Sequence, residues 1–419
     1  MAEYTLGTRE RTVLETVAVP DLEPGMFIHD LQMSWLQHPF LRNQFVIRSQ
    51  DEIDRIRALG IREVVIDTDL AERLPENPEE QREETARLQA ELDAHQAAHP
   101  RADILRQRKV EVDEELEAAR PVREEATGVV ESVMHDVRLG RQVDLGRVEP
   151  VAERIMESIF RNPNALLSLG QVRQVDRYTF EHSIAVGVLL VTYGRAQELD
   201  PEVIYQLGMG GLLHDIGKAR VPEAILTKPG ALTEKEYQVM QGHVTLGLEM
   251  VGDLPDLPAP TLEVIAQHHE RWDGSGYPNG LRENEIGPYG QMAAVVDVYD
   301  AITSDRCYHR GEHPTLVLRR MLEWSRSHFR EEVVHHFIQC VGIYPAGTLV
   351  RMESGRLAVV LDPGEKILYP TVKVFFNTHT HSLIKPEVID LANPGFHEDH
   401  IAAYEDPRKW DFDLNRLLG

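Results

Sequence analysis

Between residues 128 and 342, apolar side chains recur at the 3.6-residue period of helices, most clearly over 151–160, 183–193, 203–213, 263–269, 291–303 and 316–324. Threaded through this pattern are His182, His214-Asp215, His243, His268-His269 and Asp297. Five expected helices would each offer imidazoles or carboxylates to one place. A bundle core lined by facing helices suits that arrangement. The region is therefore expected to be an all-α bundle with a polar centre.

At the middle of the series the chain reads Gly210-Gly211-Leu212-Leu213-His214-Asp215-Ile216-Gly217-Lys218, which puts an imidazole and a carboxylate at the C-terminal end of an apolar helix. Gly217 is expected to end that helix. Divalent metals such as Fe, Mn and Zn accept mixed nitrogen and oxygen ligands, and a carboxylate can bridge two ions as a single imidazole nitrogen cannot. Asp215 is the bridging candidate. A lone His-Asp pair carries little weight, since such pairs arise by chance or cap helices. Company in order gives it weight, because two neighbouring cations can bind non-bridging phosphate oxygens, acidify a water and stabilise an in-line displacement. Phosphodiester hydrolysis is the reaction such a centre serves. The competing explanation is a set of satisfied core histidines, which would need several of them on separate apolar helices.

Asp and Glu number 69 against 44 Lys and Arg, a formal charge of −25 that argues against duplex nucleic acid or an anionic membrane as main partner. An anionic substrate would need bound cations or placed basic side chains. Cys307 and Cys340 form no CxxC pair and are too few for a disulfide framework. No apolar run reaches the roughly 18 residues of a membrane span, and the first residues lack the apolar stretch of a secretory signal. A cytoplasmic location is expected.

The expected organisation is multidomain and mainly α. Residues 1–70 read as a small α+β module, with strands near 16–19, 24–28, 45–47 and 64–67 and a helix ending at Gly60. Residues 71–127 carry 16 acidic and 9 basic residues and few large apolar ones, and are expected to be a charged, solvated helical linker. The helical domain occupies 128–342. Residues 343–419 are expected to add a small β-rich extension with strands over 348–350, 358–361 and 372–376. Residues 397–419 receive no role.

Longer signatures surround the dyad: Tyr178-Thr179-Phe180-Glu181-His182-Ser183, then His268-His269-Glu270-Arg271-Trp272-Asp273-Gly274-Ser275-Gly276-Tyr277-Pro278, then Asp297-Val298-Tyr299-Asp300-Ala301-Ile302-Thr303-Ser304-Asp305-Arg306. Through these, residues 164–327 resemble the HD-GYP family of bacterial phosphodiesterases, and the N-terminal part resembles a domain of unknown function that often precedes it. The resemblance implies a signalling enzyme that opens cyclic di-GMP to linear pGpG, and on to GMP. It implies two divalent ions, Fe or Mn first, with Zn, Ni or Mg as alternatives. His182, His214, Asp215 and Asp297 would hold one ion, and Asp215, His243, His268 and His269 the other. His214, Asp215 and Lys218 would carry the chemistry, and Lys218, Tyr277, Arg306, His309 and Arg310 would meet the substrate.

Two departures from the family pattern matter. Where some members place a glutamate for a third metal this chain has Tyr178, and Glu181 would point about 100° away from His182 around a helix. Two ions are therefore expected. The chain also reads Arg306-Cys307-Tyr308-His309-Arg310, which leaves open whether His309 or Arg310 meets the substrate. Gly274, Gly276 and Pro278 are expected to fix a turn beside the His268-His269 helix, and the family adds diguanylate cyclase domains as partners at this loop. A homodimer is the other partner expected. The rival functions are a nucleotide-binding scaffold and a hydrolase of a different cyclic dinucleotide. His335-His336 is read as structural, His379 and His381 as facing solvent on a strand, and Arg271 with Asp273 as a loop ion pair.

Overall fold

The computed structural model describes residues 14–23, 26–30, 45–47, 50–67, 78–98, 108–170, 178–228, 232–252, 254, 257–304, 312–325, 327–364, 368–393, 399–405 and 409–410. These fall into two compact units, one of residues 1–77 with 222–240, the other of 78–221 with 241–419.

In the first unit, strands β1 (Leu14–Ala18), β2 (Phe27–Asp30), β3 (Phe45–Val46) and β4 (Glu63–Asp67) form a sheet in the order β1-β4-β2-β3, with its pairs antiparallel. Helix α1 (Gln50–Ala58) lies between β3 and β4 in the chain. Strand β4 alternates as a half-buried strand should, with Val64 and Ile66 inward and Glu63 outward. These join Ile28, Ile47, Ile53 and Ile56 in a small core. The α+β reading of the N-terminal module agrees with this arrangement, and Gly60 takes the left-handed φ of +72° just after α1.

The second unit is mainly helical. Its helices are α2 (Pro78–Ala98), α3 (Val112–Arg138), α4 (Leu145–Arg161), α5 (Pro163–Gly170), α6 (Tyr178–Ala196) and α7 (Pro201–Leu213). After α8 (Glu223–Leu226) and α9 (Glu234–Gln241), which belong to the first unit but for Gln241, come α10 (His243–Gly252), α11 (Ala259–Gln267), α12 (Pro288–Thr303), α13 (Pro314–Trp324) and α14 (Glu331–Val341). No helix among the described residues is long and apolar enough to cross a membrane.

The segment expected as a solvated linker is not one. Leu116, Ala119, Ala126, Val130, Val133 and Val137 lie along one face of α3 and are buried against α4, α5 and α6, while α2 buries Leu88 and Leu92. Low apolar content hid a stripe whose spacing is helical. The boundary expected at 127/128 consequently falls inside α3, a continuous helix of 27 residues.

The C-terminal strands β5 (Leu349–Met352), β6 (Arg356–Asp362), β7 (Thr371–Asn377), β8 (Ser382–Asp390) and β9 (Ile401–Tyr404) form an antiparallel sheet in the order β8-β7-β6-β5-β9. Strand β6 is buried on both faces. Ala358 and Val360 join one core with α12 and α14, and Leu357, Val359 and Leu361 join another with α3 to α7. The sheet is thus packed into the unit. Residues 401–404, left without a role from sequence, add its edge strand beside β5. His379 and His381 lie in the β7–β8 turn, not on a strand, and His381 takes a φ of +48° there.

Candidate metal centre

Two close backbone approaches assemble the centre. Helices α6 and α7 cross so tightly that a β-carbon on Gly211 would stand 2.5 Å from the Gly187 Cα. This brings the rings of His182, on α6, and His214, just past α7, to 5.1 Å between centroids. The second approach involves Gly217, but not as a helix terminator. Helix α7 stops at Leu213, and Gly217 lies within a 3-10 turn, Ile216–Arg220. A β-carbon there would sit 1.9 Å from the His243 carbonyl oxygen and 2.6 Å from the Gly247 nitrogen, so only glycine lets α10 come this near. His243, the first residue of α10, then places Nε2 3.3 Å from Asp215 Oδ1.

Helices α11 and α12 close the ring. His268 caps α11 and is followed by His269, and the His268 Nε2 is 3.4 Å from that of His243. On α12, Asp297 Oδ1 lies 3.0 Å from His182 Nε2 and 3.6 Å from His214 Nε2, and its Oδ2 lies 3.6 Å from His269 Nδ1. Glu263 of α11 accepts from the backbone N–H of Tyr289 and Gly290 in the first turn of α12, which fixes the two helices to each other. All seven side chains expected from sequence therefore meet. Asp215, His243, His268 and His269 offer donor atoms within 4.8 Å of one another, as do His182, His214 and Asp215, and Asp215 belongs to both groups.

The donor chemistry fits divalent cations. His214 Nδ1 lies 2.8 Å from the Gly211 carbonyl and His268 Nδ1 3.0 Å from that of Ile265, so each donates its Nδ1–H outward and turns Nε2 inward. Buried His214 Nε2 and Asp215 Oδ1 complete no hydrogen bond, although each has a polar atom 3.3 Å away. Orphaned buried groups of this kind are expensive unless an ion satisfies them.

Electrostatics point the same way. Burial alone would lower the His214 pKa, but the Asp215 and Asp297 carboxylates outweigh it and push the pKa up to about 10. Burial would raise the carboxyl pKa values, yet Lys218 and His214 hold Asp215 well below the usual range, and His182 and His214 do the same for Asp297. Burial lowers His268 to about 3, helped by the nearby His214, and also depresses His269. Two buried carboxylates thus demand positive charge while two imidazoles resist protonation. Cations coordinated between them satisfy both.

Around the centre, the Lys218 ammonium donates to Asp215 Oδ2 at 2.5 Å. The Tyr277 ring lies against His269, 4.6 Å between centroids, and its N–H donates to the His269 carbonyl. Gly274, at φ +79°, helps form the expected turn, and buried Glu270 ties it down by accepting from the N–H groups of Asn279 and Leu281. Glu181 turns away toward Arg123 of α3, 3.6 Å distant. The Tyr178 side chain, Cys307, Arg306, His309 and Arg310 lie outside the described residues. His335 is a buried anchor, its Nδ1 3.0 Å from the Glu331 carbonyl and its Nε2 3.3 Å from Glu91 of α2. Sequence reasoning missed two residues here. Glu270 adjoins His269, and Asp300 stands one helical turn after Asp297, a spacing that could have drawn notice.

The HD-domain family matches residues 156–333, and a family described as a domain of unknown function matches residues 14–148. A cyclic di-GMP phosphodiesterase of Pseudomonas aeruginosa is 40% identical over 402 residues, covering 96% of this chain and 94% of that one. The chain belongs to the HD-GYP family. This HD-GYP protein is also 36% identical over 168 residues to a cyclic di-GMP phosphodiesterase of Thermotoga maritima, covering 39% of this chain and 45% of that one. A 3'3'-cGAMP-specific phosphodiesterase of Vibrio cholerae is 36% identical over 128 residues, covering 30% and 24% of the two chains. The metal centre lies within the HD match, and the chain is a phosphodiesterase.

Proposed function

We propose that this HD-GYP protein hydrolyses cyclic di-GMP to linear pGpG, and on to GMP, at a centre of two divalent ions in second-messenger signalling. One observation carries the reading: two orphaned atoms, His214 Nε2 and Asp215 Oδ1, are buried with the inward-facing His268 Nε2 between carboxylates and imidazoles from five stretches of chain. His182, His214, Asp215 and Asp297 would hold one ion, and Asp215, His243, His268 and His269 the other. Fe or Mn suits such mixed nitrogen and oxygen donors. Ions bound there supply Lewis acidity toward a phosphoryl oxygen and make water acidic enough to act as a nucleophile.

The chain's own groups do the remaining work. The Lys218 side chain is 22% exposed, and its ammonium can turn from Asp215 to a phosphate oxygen without leaving the site. Arg306, with His309 or Arg310, follows α12 and would add the positive charge that an anionic substrate needs against a background of −25. Tyr277 offers an aromatic face beside His269 where a guanine could pack. The substrate assignment is supported by the Pseudomonas relative, named for cyclic di-GMP and aligned along nearly the whole chain.

The test is turnover by protein purified without oxygen and loaded with Mn or Fe. Cyclic di-GMP should yield pGpG on chromatography, His214→Ala and Asp215→Ala should abolish this, and elemental analysis should find two ions per chain. No turnover by loaded protein would end the proposal. A higher kcat/KM for 3'3'-cGAMP would reassign the substrate, and a count of one or three ions would refute the paired centre.

A further inference from the structure

His182 is held differently from its neighbours. His214 and His268 direct Nδ1 at backbone carbonyls, which are neutral acceptors, whereas the His182 Nδ1 lies 2.7 Å from a carboxylate oxygen, Oδ2 of Asp300. Asp300 is buried, as is His182, and stands on α12 one turn beyond Asp297. The ring of His182 is thereby gripped at one nitrogen while the other faces Asp297 Oδ1 at 3.0 Å and Asp215 Oδ2 at 3.7 Å.

We propose that Asp300 is a positioning residue for the metal centre: it accepts the Nδ1–H of His182, fixes the tautomer that presents Nε2 to the ion, and makes that nitrogen a better donor. The inference rests on the two-ion reading above. The reverse tautomer would set a bare Nδ1 against a carboxylate oxygen, two acceptors in contact, so the pair selects one ring state. A hydrogen bond to a charged acceptor is roughly twice as strong as one to a neutral carbonyl, and a carboxylate partner raises the basicity of the ligating nitrogen. Asp297 and Asp300 thus divide one helix face, the first meeting the inner nitrogen of His182 and the second its outer one. The Ser304 hydroxyl, donating to the Asp300 backbone carbonyl, steadies the end of α12. Asp300 also borders a small cavity of about 40 Å³, with Arg123, Glu181, Tyr299 and Thr303 on its wall, so a changed side chain there is not compressed on every side.

The experiment uses the full chain with Asp300→Asn, Asp300→Ala and His182→Ala, titrated anaerobically with Mn2+ and followed calorimetrically and by electron paramagnetic resonance. The amide introduced by D300N keeps an acceptor oxygen but no charge, so that variant should weaken Mn2+ binding by about 10-fold, and D300A, which removes both, by up to about 100-fold. At saturating Mn2+ both should recover much of their kcat with KM for cyclic di-GMP unchanged, which a general loss of structure would not allow. Should D300A fail to fold, D300N decides. If H182A loses Mn2+ affinity while D300A or D300N binds as tightly as the parent, the role of Asp300 is overturned and the two-ion reading stands. If H182A also binds as the parent does, the ligand set itself is wrong.

Discussion

Gly217→Ala tests how the centre is built without touching a ligand. The added methyl would lie 1.9 Å from the His243 carbonyl oxygen and 2.6 Å from the Gly247 nitrogen, both of them backbone atoms that cannot swing aside. Relief to ordinary contact near 3.4 Å requires the 3-10 turn and α10 to part by about 1.5 Å. That movement draws His243 from Asp215, now 3.3 Å apart. Overpacking of this kind costs about 1–3 kcal/mol, which lowers Tm by roughly 1.5 °C per kcal/mol for a unit of this size. A displacement above 1 Å can cost on the order of 100-fold in turnover. Thermal melts, Mn2+ titration and pGpG production should all be measured. Gly128→Ala is the control, because Gly128 is exposed within α3 with nothing within 4 Å of a new β-carbon. It should stabilise by about 0.5–1 kcal/mol. G217A protein with parental Mn2+ affinity and parental turnover would refute the claim that this contact seats His243.

Glu270→Ala removes the acceptor for two backbone N–H groups under the GYP loop, and should raise KM for cyclic di-GMP more than it lowers metal affinity. Equal Mn2+ and substrate losses would instead assign Glu270 to the ligand set. Burial, with Arg271 nearby, lowers the His328 pKa to about 4, while the unfolded chain titrates near its ordinary value of 6.5. The unfolded state therefore takes up more protons between those values, so the contribution of His328 to stability is whole above pH 6.5 and fades as pH falls toward 4. Denaturant melts of His328→Gln should show a shallower loss of stability than the parent across that window, and identical slopes would discount the group. Saturating Mn2+ at 100 times its Kd should stabilise the folded chain by about 2.7 kcal/mol. In Asp215→Ala that rise in Tm should vanish, and its persistence would place the ions elsewhere.

The candidate ligands were legible because metal chemistry restricts residue type, and because apolar periodicity marked the helices that carry them. Every one of the seven lies in the centre. What escaped notice depended on distance in space. Nothing in the sequence says that Gly217 faces a backbone carbonyl of α10, so a glycine after an apolar helix looked like a terminator. The α3 stripe escaped because its apolar residues are diluted by charge, and the composition of 71–127 outweighed its periodicity. The C-terminal strands were legible as a small β region, but single-strand patterns do not reveal that both faces of β6 are covered. Glu270 and Asp300 were visible within the signatures, but their roles follow only from what their oxygens touch.

The continuity of α3 bears on how this protein can be divided. The two family matches end at residue 148 and begin at residue 156, which invites a cut between them, yet both of those positions fall inside α4. A fragment starting there would begin part-way along a helix and would leave behind the α3 surface formed by Leu116, Val130, Val133 and Val137, so the apolar faces of α4 and α6 would open to water. Such a piece would tend to aggregate, and its silence in an assay would describe the wound. A cut before Pro78, where α2 begins, keeps the larger unit whole, but it parts residues 1–77 from 222–240, which belong to the same compact unit.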